Sequence, residues 1–191
     1  MGKHGSFIKR CTDIILSIVL LIISTPIIII AAIVIKLDSK GPVFFVQDRT
    51  GLNGKPFKMV KFRGMVNNAL EVGPQLTQIN DPRVTRVGRI LRRTSIDEIP
   101  QFINVLKGEM SLIGPRPEII SITEKFNNEQ KEVFSFKPGI TGYSQVNGRQ
   151  MLSPVERVNM EVDYYRKANF WSDLLIATST FKVIVSNKGN I

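Results

Sequence analysis

The chain has 191 residues, enough for one domain with a hydrophobic core and too few to predict two. Its formal net charge of +10 predicts a polyanionic partner, which is nucleic acid, anionic lipid or a phosphorylated substrate. The single cysteine, Cys11, excludes an intrachain disulfide and a thiolate metal cluster. The single histidine, His4, lies in the N-terminal tail, which argues against histidine-dependent triads and histidine-rich metal sites.

The N-terminal part of the chain contains one long apolar run. Ile14 to Ile35 carries no charged side chain, and as a helix it would be about 33 Å long, enough to cross the core of a bilayer. The run is longer than the apolar part of a usual signal peptide and is apolar on every face, unlike a buried soluble helix. We therefore expect a membrane-embedded helix.

Two features argue against a simple straight crossing. Basic residues flank both ends of the run: Lys3, Lys9 and Arg10 precede it, and Lys36 and Lys40 follow it. The positive-inside rule would place both flanks in the cytoplasm. Pro26 removes a helical hydrogen bond, and the hydroxyls of Ser24 and Thr25 can bond the carbonyls that it frees. The residues leave a re-entrant helix and a plain spanning anchor with a tolerated proline equally open.

Short strands and a basic helix are expected next along the chain. Val43 to Gln47 and Phe57 to Phe62 are rich in Val and Phe and predict a hairpin. Asn53-Gly54 between them predicts a turn with positive φ. Arg86 to Arg93 predicts a short basic helix, within a segment, Lys36 to Arg93, that holds twelve Lys and Arg against four Asp and Glu.

A stronger helix is predicted from Ser95 to Lys107, where apolar residues recur at helical spacing and Gly108 provides a stop. Its start is ambiguous. Ser95 and Glu98 have capping-box spacing, whereas Pro100 fits best in the first turn and favours Asp97 as the cap. Either choice puts Asp97 and Glu98 at the start of the helix.

The C-terminal part predicts rigid loops and two helices. Gly114 to Pro117 and the stretch from Pro138 to Gly148 are expected to be loops. Ser153, Pro154 and Glu156 predict a capped helix to about Ala168, and a last helix is expected from about Ser172 to Ser186. The aromatic residues of that last helix suit a membrane interface or an ordinary amphipathic helix equally well.

Asp97 and Glu98 are the most suggestive pair for chemistry. The positive end of a helix dipole and nearby arginines would keep such a carboxylate ionised. An ionised Asp can attack phosphorus, and carboxylates can also hold Mg²⁺. Pattern alone favours simple helix capping. The candidate phosphate-binding residues, each of which is also readable as a solvated surface charge, are Lys61, Arg63, Arg92, Arg93, Arg116 and Arg149.

The run from Ser95 to Pro117, SIDEIPQFINVLKGEMSLIGPRP, closely resembles the bacterial sugar transferase family, the monotopic polyprenyl-phosphate phosphoglycosyl transferases. Further matching motifs occur in the same order along the chain: Gly41 to Phe45 with Gln47 and Arg49, Lys61 to Met65, Pro138 to Gly142, and Gln145 to Arg149. The resemblance covers essentially the whole chain, whose length is similar to that of the small members.

The resemblance implies a function. Asp97 would attack the β-phosphate of a UDP-sugar, releasing UMP and forming a phosphosugar-aspartyl intermediate. A polyprenyl (undecaprenyl) phosphate would then accept the phosphosugar, as the first membrane step of glycoconjugate or exopolysaccharide assembly. Glu98 would complete the catalytic pair, and Mg²⁺, held by Asp97, is the implied cofactor. The substrate-binding residues would be Lys61, Arg63, Arg92, Arg116 and Arg149.

The resemblance also implies an architecture. It predicts a mostly helical α+β fold, with a re-entrant membrane helix over 12–36 that breaks at Ser24, Thr25 and Pro26. A small β-hairpin and interfacial amphipathic helices would complete a single domain over 1–191. Residues 37–191 would form the catalytic part, facing the cytoplasm at the bacterial inner membrane. The expected partners are UDP-sugar, polyprenyl phosphate and membrane lipid, and no nucleic acid.

Two positions depart from the family pattern. Thr25-Pro26 replaces the usual Ser-Pro at the break, and Gly64 stands where Thr or Ser is frequent. The first keeps a hydroxyl, whereas the second removes a side chain that could affect sugar preference. A competing hypothesis is a non-catalytic, basic membrane-surface protein that binds anionic lipid or nucleic acid. It explains the charge and the apolar run but not the Asp-Glu pair or the loops around Arg116.

Overall fold

A single helix, α1 (Phe7–Asp38), accounts for the whole apolar run. The structure, a computed structural model, describes residues 7–78, 80–148 and 152–186. Within those ranges α1 is the one helix long and apolar enough, by length and composition, to cross a membrane. Its 32 residues would extend about 48 Å if straight. The buried residues of α1 lie only towards its two ends, at Asp13, Ser17, Ala31 and Ile35.

Pro26 lies inside α1 rather than at its end. The hydroxyl of Thr25 donates to the carbonyl of Leu21 at 3.0 Å. Because Pro26 has no N–H, the carbonyl that it frees is that of Ile22, four residues back. The Thr25 hydroxyl therefore bonds the carbonyl next to the freed one, in contrast to what we expected from the sequence.

The predicted hairpin is confirmed. Strands β1 (Phe44–Thr50) and β2 (Pro56–Phe62) pair antiparallel, with Phe44 opposite Phe62. Asn53 (φ 56°) and Gly54 (φ 73°) adopt the positive φ angles that the turn requires.

The predicted basic helix is also confirmed as α2 (Arg86–Arg93), whereas the next predicted helix is divided. A 3₁₀ turn (Ile96–Glu98) comes first, and α3 (Gln101–Lys107) begins only after Pro100. Pro100 has no N–H to continue the α-helical pattern, so the preceding turn closes with shorter bonds such as Ile99 N to Ile96 O. Gly108 ends α3 with φ 86°, as expected.

Both expected caps are wrong. Ser95 adopts a left-handed conformation (φ 58°) and its side chain makes no capping bond. Asp97 lies within the 3₁₀ turn rather than ahead of it. The two carboxylates are therefore carried by a tight, half-buried turn and do not cap the start of a helix.

Buried polar side chains, together with Val105 packed against Phe57 and Met59, attach α3 to the hairpin. Ile103 is 40% exposed, whereas Gln101 and Asn104 are buried. The Asn104 amide accepts from Val60 N (3.1 Å) and donates to Lys58 O (2.7 Å). These bonds fix the turn carrying Asp97 and Glu98 beside β2.

The C-terminal half contains a second, two-stranded sheet that the sequence did not predict. Strands β3 (Ser111–Ile113) and β4 (Gly139–Thr141) pair in parallel. Each has only three residues; β4 lies in a stretch that was expected to be loop, and β3 directly precedes another. The remaining helices are α4 (Ile120–Thr123), α5 (Tyr143–Val146), α6 (Pro154–Tyr165) and α7 (Phe170–Ser186). The capping box of Ser153 and Glu156 at the start of α6 is confirmed.

Both ends of α1 are attached to the rest of the chain. At the first end, the Arg10 guanidinium donates to the carbonyls of Val105 (2.6 Å) and Leu106 (2.9 Å) in α3. Nearby, the Asp13 carboxylate accepts from the hydroxyl of Ser111 at 2.8 Å. The α3 helix and strand β3 are thereby held against the start of α1.

The second end of α1 is attached to the elements on the other side of the Asp97-Glu98 turn. Its apolar residues form a cluster with residues of β2 and α2: Ala31, Ile35, Phe62 and Leu91. The Asp38 carboxylate accepts from Val87 N, in the first turn of α2, at 3.2 Å.

Candidate active site

Asp97 and Glu98 lie on the 3₁₀ turn between α2 and α3, and two cations reach Glu98. The Lys61 ammonium, near the end of β2, donates to Glu98 Oε1 at 3.2 Å. The Arg116 guanidinium, from the loop after β3, lies 3.7 Å from the same oxygen. Three of the residues that the sequence nominated are thus brought together from distant parts of the chain.

The electrostatic surroundings of Asp97 differ from the expectation. Burial raises the pKa of Asp97 to about 6, and the neighbouring Glu98 adds to the rise. Lys61, Arg92 and Arg116 act in the opposite direction without cancelling it. Desolvation therefore outweighs the nearby cations that were expected to keep this carboxylate ionised. At pH 7 the carboxylate is still mostly ionised.

The oxygens of Asp97 are available for chemistry. Within the ranges 7–78, 80–148 and 152–186, no hydrogen bond or ion pair ends on its carboxylate. Glu98, in contrast, is engaged by both Lys61 and Arg116. Burial lowers the pKa of Lys61, and the charge of Glu98 counteracts this. The two acidic residues of the pair are therefore not equivalent.

The loop from Gly114 to Pro117 holds Arg116 in place. Gly139 N donates to the carbonyl of Pro115 at 2.9 Å, and Gly114 N donates to that of Thr141 at 3.0 Å. A side chain at Gly114 would place its Cβ only 2.2 Å from a backbone oxygen, so glycine is required by the close approach to β4. The second sheet thus serves to fix this loop.

Arg92 approaches the pair from α2. Its guanidinium contributes to the electrostatics of Asp97 and donates to the hydroxyl of Thr77 at 3.0 Å. A Cβ at Gly64 would lie 3.2 Å from the Nε of Arg92. The departure from the family pattern at Gly64 therefore falls directly beside a candidate substrate-binding residue.

Two nominated residues are not part of this cluster. Arg63 is buried, and its guanidinium donates to the carbonyls of Lys40 and Ser39, the latter at 2.7 Å. Arg63 therefore binds the backbone just after the end of α1 and does not face Glu98. Arg149 lies outside the described residues.

Sequence reasoning gave no individual role to three charged residues that surround Arg116. Arg49 donates to the carbonyl of Pro117 at 3.2 Å, and burial lowers its pKa to about 10. Arg157, on α6, lies 2.8 Å from an oxygen of Glu118. Arg49 belongs to one of the quoted motifs, but only the fold shows that it reaches the Arg116 loop.

The cluster carries more positive than negative charge. Its basic side chains are Lys61, Arg49, Arg92, Arg116 and Arg157, and the acidic side chains paired with them are Asp97, Glu98 and Glu118. Such an excess in a partly desolvated recess suits a ligand with phosphate groups.

A divalent cation fits this site only with help from the substrate. No group of three or more His, Cys, Asp or Glu that could hold a metal occurs in the described part of the chain. Mg²⁺ is commonly held by one or two carboxylates together with substrate phosphates and water. The carboxylate of Asp97, to which no described residue donates a bond, provides that type of ligand.

Comparison with known proteins matches the sequence of this chain to a family. The profile of the bacterial sugar transferases matches residues 4–187. The chain belongs to the bacterial sugar transferase family. The competing hypothesis of a non-catalytic surface protein has no comparable support among these matches.

Several members of the bacterial sugar transferase family are similar to this chain. UDP-glucose:undecaprenyl-phosphate glucose-1-phosphate transferase of Escherichia coli is 44% identical over 189 residues, covering 94% of this chain and 40% of the relative. UDP-N-acetylgalactosamine-undecaprenyl-phosphate N-acetylgalactosaminephosphotransferase of Aeromonas hydrophila is 41% identical, covering 96% and 45%. The uncharacterized sugar transferase EpsL of Bacillus subtilis is 38% identical, covering 95% and 89%. The chain thus spans less than half the length of the first two.

Proposed function

We propose that this chain transfers a sugar phosphate from a UDP-sugar to undecaprenyl phosphate, with Asp97 as the nucleophile. The observation that carries the proposal is the half-buried Asp97 carboxylate, which no described residue bonds, within a cluster of cations. The names of the relatives from Escherichia coli and Aeromonas hydrophila support the same class of substrates.

The reaction has two displacements at one phosphorus atom. An oxygen of Asp97 attacks the β-phosphorus, and the bond from that phosphorus to the bridging oxygen breaks, so UMP leaves with the electron pair. An oxygen of undecaprenyl phosphate then attacks the phosphorus of the aspartyl-phosphosugar. The bond to Asp97 breaks, which regenerates the carboxylate and gives undecaprenyl diphosphate-sugar.

The cations stabilise the charge that develops on the transferred phosphoryl group. Lys61 and Arg116 flank the pair from one side and Arg92 from another, as phosphoryl transfer requires. Mg²⁺, when bound at Asp97 and the phosphates, would neutralise further negative charge.

Glu98 fits the role of a positioning group in this scheme. It accepts from Lys61 and pairs with Arg116, so it holds both cations at the edge of the recess. A phosphate entering beside Asp97 would find them already oriented, which lowers the cost of forming the complex.

The test is UMP release from UDP-sugar and undecaprenyl phosphate in detergent. Asp97→Asn removes the nucleophile with little change in shape, and we expect it to abolish UMP release. Asp163→Asn changes an exposed carboxylate, 79% accessible, and serves as the matched control. Undiminished activity in Asp97→Asn would exclude Asp97 as the nucleophile.

The sugar is best found with the same assay. The relatives differ in the sugar that their names give, glucose in one and N-acetylgalactosamine in another. A panel of UDP-sugars should give UMP release with one or a few members when undecaprenyl phosphate is present. Release with none of them, from folded protein, would contradict the proposed substrate class.

We also propose that α1 enters the cytoplasmic face of the bacterial inner membrane, bends at Pro26 and returns to the same face. The support is that α1 is attached to the catalytic part near Arg10 and near Ile35, while no residue between Ser17 and Ala31 is buried. A middle segment without buried residues, between two attached ends, suits a helix that enters the bilayer and returns.

The α7 helix fits a position at the membrane surface. Its exposed side chains include Trp171 (70%), Leu175 (67%) and Phe181 (71%), residue types that favour the interface. Lys9, at the start of α1, forms a 2.5 Å ion pair with Asp173 of α7. This pair keeps α7 beside the point where α1 would enter the membrane.

Topology can be tested by labelling the two flanks of α1 separately. An N-terminal tag and Lys55→Cys in a Cys11→Ser background report on the flank before α1 and on the hairpin after it. In inverted membrane vesicles, re-entry predicts that both react with impermeant reagents. Labelling of the two from opposite sides would overturn the re-entrant arrangement.

A further inference from the structure

A buried carboxylate outside the Asp97-Glu98 pair holds the backbone of Arg116. Glu161, on α6, is only 2% exposed. Its Oε2 accepts from the backbone N–H of Arg116 at 2.8 Å, and its Oε1 accepts from the hydroxyl of the fully buried Ser144. The carboxylate thereby joins α6, α5 and the Arg116 loop at one point.

The bond to Arg116 has special importance because of the flanking prolines. Pro115 and Pro117 have no N–H, so Arg116 provides the one backbone donor between Gly114 and Glu118. A buried backbone donor without an acceptor is strongly disfavoured. Glu161 is the side chain that accepts it.

Other contacts fix the carbonyls on either side. Gly139 N bonds the carbonyl of Pro115, and the Arg49 guanidinium bonds that of Pro117. With Glu161 on the remaining donor, the backbone around Arg116 is secured at three successive residues. The guanidinium then starts from a fixed Cα and reaches Glu98 at 3.7 Å.

A buried carboxylate is an expensive means of holding a loop, since burial disfavours its charge. An apolar residue of similar size would fill the space on α6 equally well. An apolar residue could not accept from Arg116 N or from the Ser144 hydroxyl, so these two donors, rather than the packing of α6, account for Glu161.

We propose that Glu161 is a positioning residue for the transfer reaction, which acts by holding Arg116 where its guanidinium meets the phosphates of the substrate. This inference rests on the proposed function, since it assigns Arg116 to the phosphoryl group. Glu161 itself does not touch the reacting atoms.

The test compares Glu161→Met with Glu161→Gln. Methionine keeps the size of the side chain and removes both acceptors, whereas glutamine keeps one acceptor oxygen. For Glu161→Met we expect kcat for UMP release to fall by about 10²-fold, the loss typical of a misplaced positioning group. Glu161→Gln should restore most of the activity. Glu156→Ala, which breaks the capping box of the same helix, should retain wild-type kcat.

A double-mutant cycle separates positioning from a general structural role. In an Arg116→Ala background, Glu161→Met should cause no further loss, because the group that it positions is already absent. A full additional loss in that background would overturn the proposal. So would equal activity of Glu161→Met and the wild-type protein.

The outcomes also distinguish this inference from the proposed function. Activity that survives Asp97→Asn contradicts the nucleophile whatever Glu161 does. Loss in Asp97→Asn together with independent effects of Glu161 and Arg116 contradicts only the positioning role. If Glu161→Met does not fold, as judged by gel filtration in detergent, the cycle is run with Ser144→Ala, which removes the hydroxyl that donates to Glu161 Oε1. A loss of activity in Ser144→Ala that is undiminished in the Arg116→Ala background would overturn the inference equally.

Discussion

Two acidic side chains, Asp97 and Glu161, are both desolvated by burial, but they differ in which donors their carboxylate oxygens meet. Burial raises the pKa of both, to about 6 for Asp97 and to about 7 for Glu161. The oxygens of Glu161 are occupied by Arg116 N and the Ser144 hydroxyl. Those of Asp97 carry no bond from any described residue.

A raised pKa alone therefore does not identify a nucleophile. Desolvation acts on any buried carboxylate, whether it holds a loop or reacts. What separates the two is whether donors have already taken the lone pairs. Glu98 is an intermediate case, since it is engaged by side-chain cations that a phosphate could also attract.

Covalent labelling should give the largest difference between Asp97 and Glu161. With UDP-sugar carrying radiolabel in the sugar and no lipid acceptor, the wild-type protein should retain label after acid quench. Asp97→Asn should retain none, because an amide oxygen cannot form the acyl phosphate. Equal labelling of Asp97→Asn, or labelling that Glu161→Gln removes, would assign the nucleophile elsewhere.

Glu98→Gln should give the next largest effect. The variant keeps an acceptor oxygen but loses the charge that holds Lys61 and Arg116. We expect kcat/KM for UMP release to fall by about 10- to 100-fold, since hydrogen bonds to charged groups contribute about 1.5–3 kcal/mol. Label should still form on Asp97. Glu124→Gln, which changes an exposed carboxylate, is the control. A complete loss of label in Glu98→Gln would show that Glu98 does more than position cations.

Glu161 should also leave a signature in stability against pH. Its pKa rises from 4.5 to about 7 on folding, so the folded state favours the protonated form. The stabilisation from this group is complete below pH 4.5 and is lost as the pH rises through 7. One pKa unit corresponds to about 1.4 kcal/mol, so the loss approaches about 3 kcal/mol.

Glu161→Gln cannot ionise and should lack this part of the pH dependence. Urea unfolding in detergent, followed between pH 4.5 and 8, measures the difference. The free energy of unfolding of Glu161→Gln, relative to that of the wild-type protein, should increase with pH, whereas that of Asp163→Asn should not. A constant difference across this range would mean that Glu161 is not desolvated as the fold indicates.

The sequence predicted the parts of the fold that rest on local signals. The hairpin, α2, the Gly108 stop and the α6 capping box each depend on a few neighbouring residues, and each is confirmed. The caps proposed for Ser95 and Asp97 were wrong, because Pro100 imposes a 3₁₀ turn ahead of α3. The three-residue strands β3 and β4 are too short to show a period and form only through pairing with each other.

Of the nominated site residues, the structure brings Asp97, Glu98, Lys61, Arg92 and Arg116 close together. Their roles in the reaction stay predictions. The sequence could not show that Arg63 binds the backbone just after α1, because its partners are backbone carbonyls over 20 residues away. Glu161 was missed for a similar reason: its partner, Arg116 N, lies 45 residues earlier and is a backbone group.

The smallest expected effect concerns Gly64, where the chain departs from its family. A Cβ there would lie 3.2 Å from Arg92 Nε and 3.5 Å from Gly88 Cα, so Gly64→Ala must displace the guanidinium by a few tenths of an ångström. We expect KM for UDP-sugar to rise about twofold with kcat little changed, an effect of about 0.5 kcal/mol. Thr77→Val, which removes the bond on the other side of Arg92, should act in the same direction. Steady-state kinetics of both variants decide the point: unchanged KM in each would mean that Arg92 influences Asp97 only through its charge and does not contact the nucleotide-sugar.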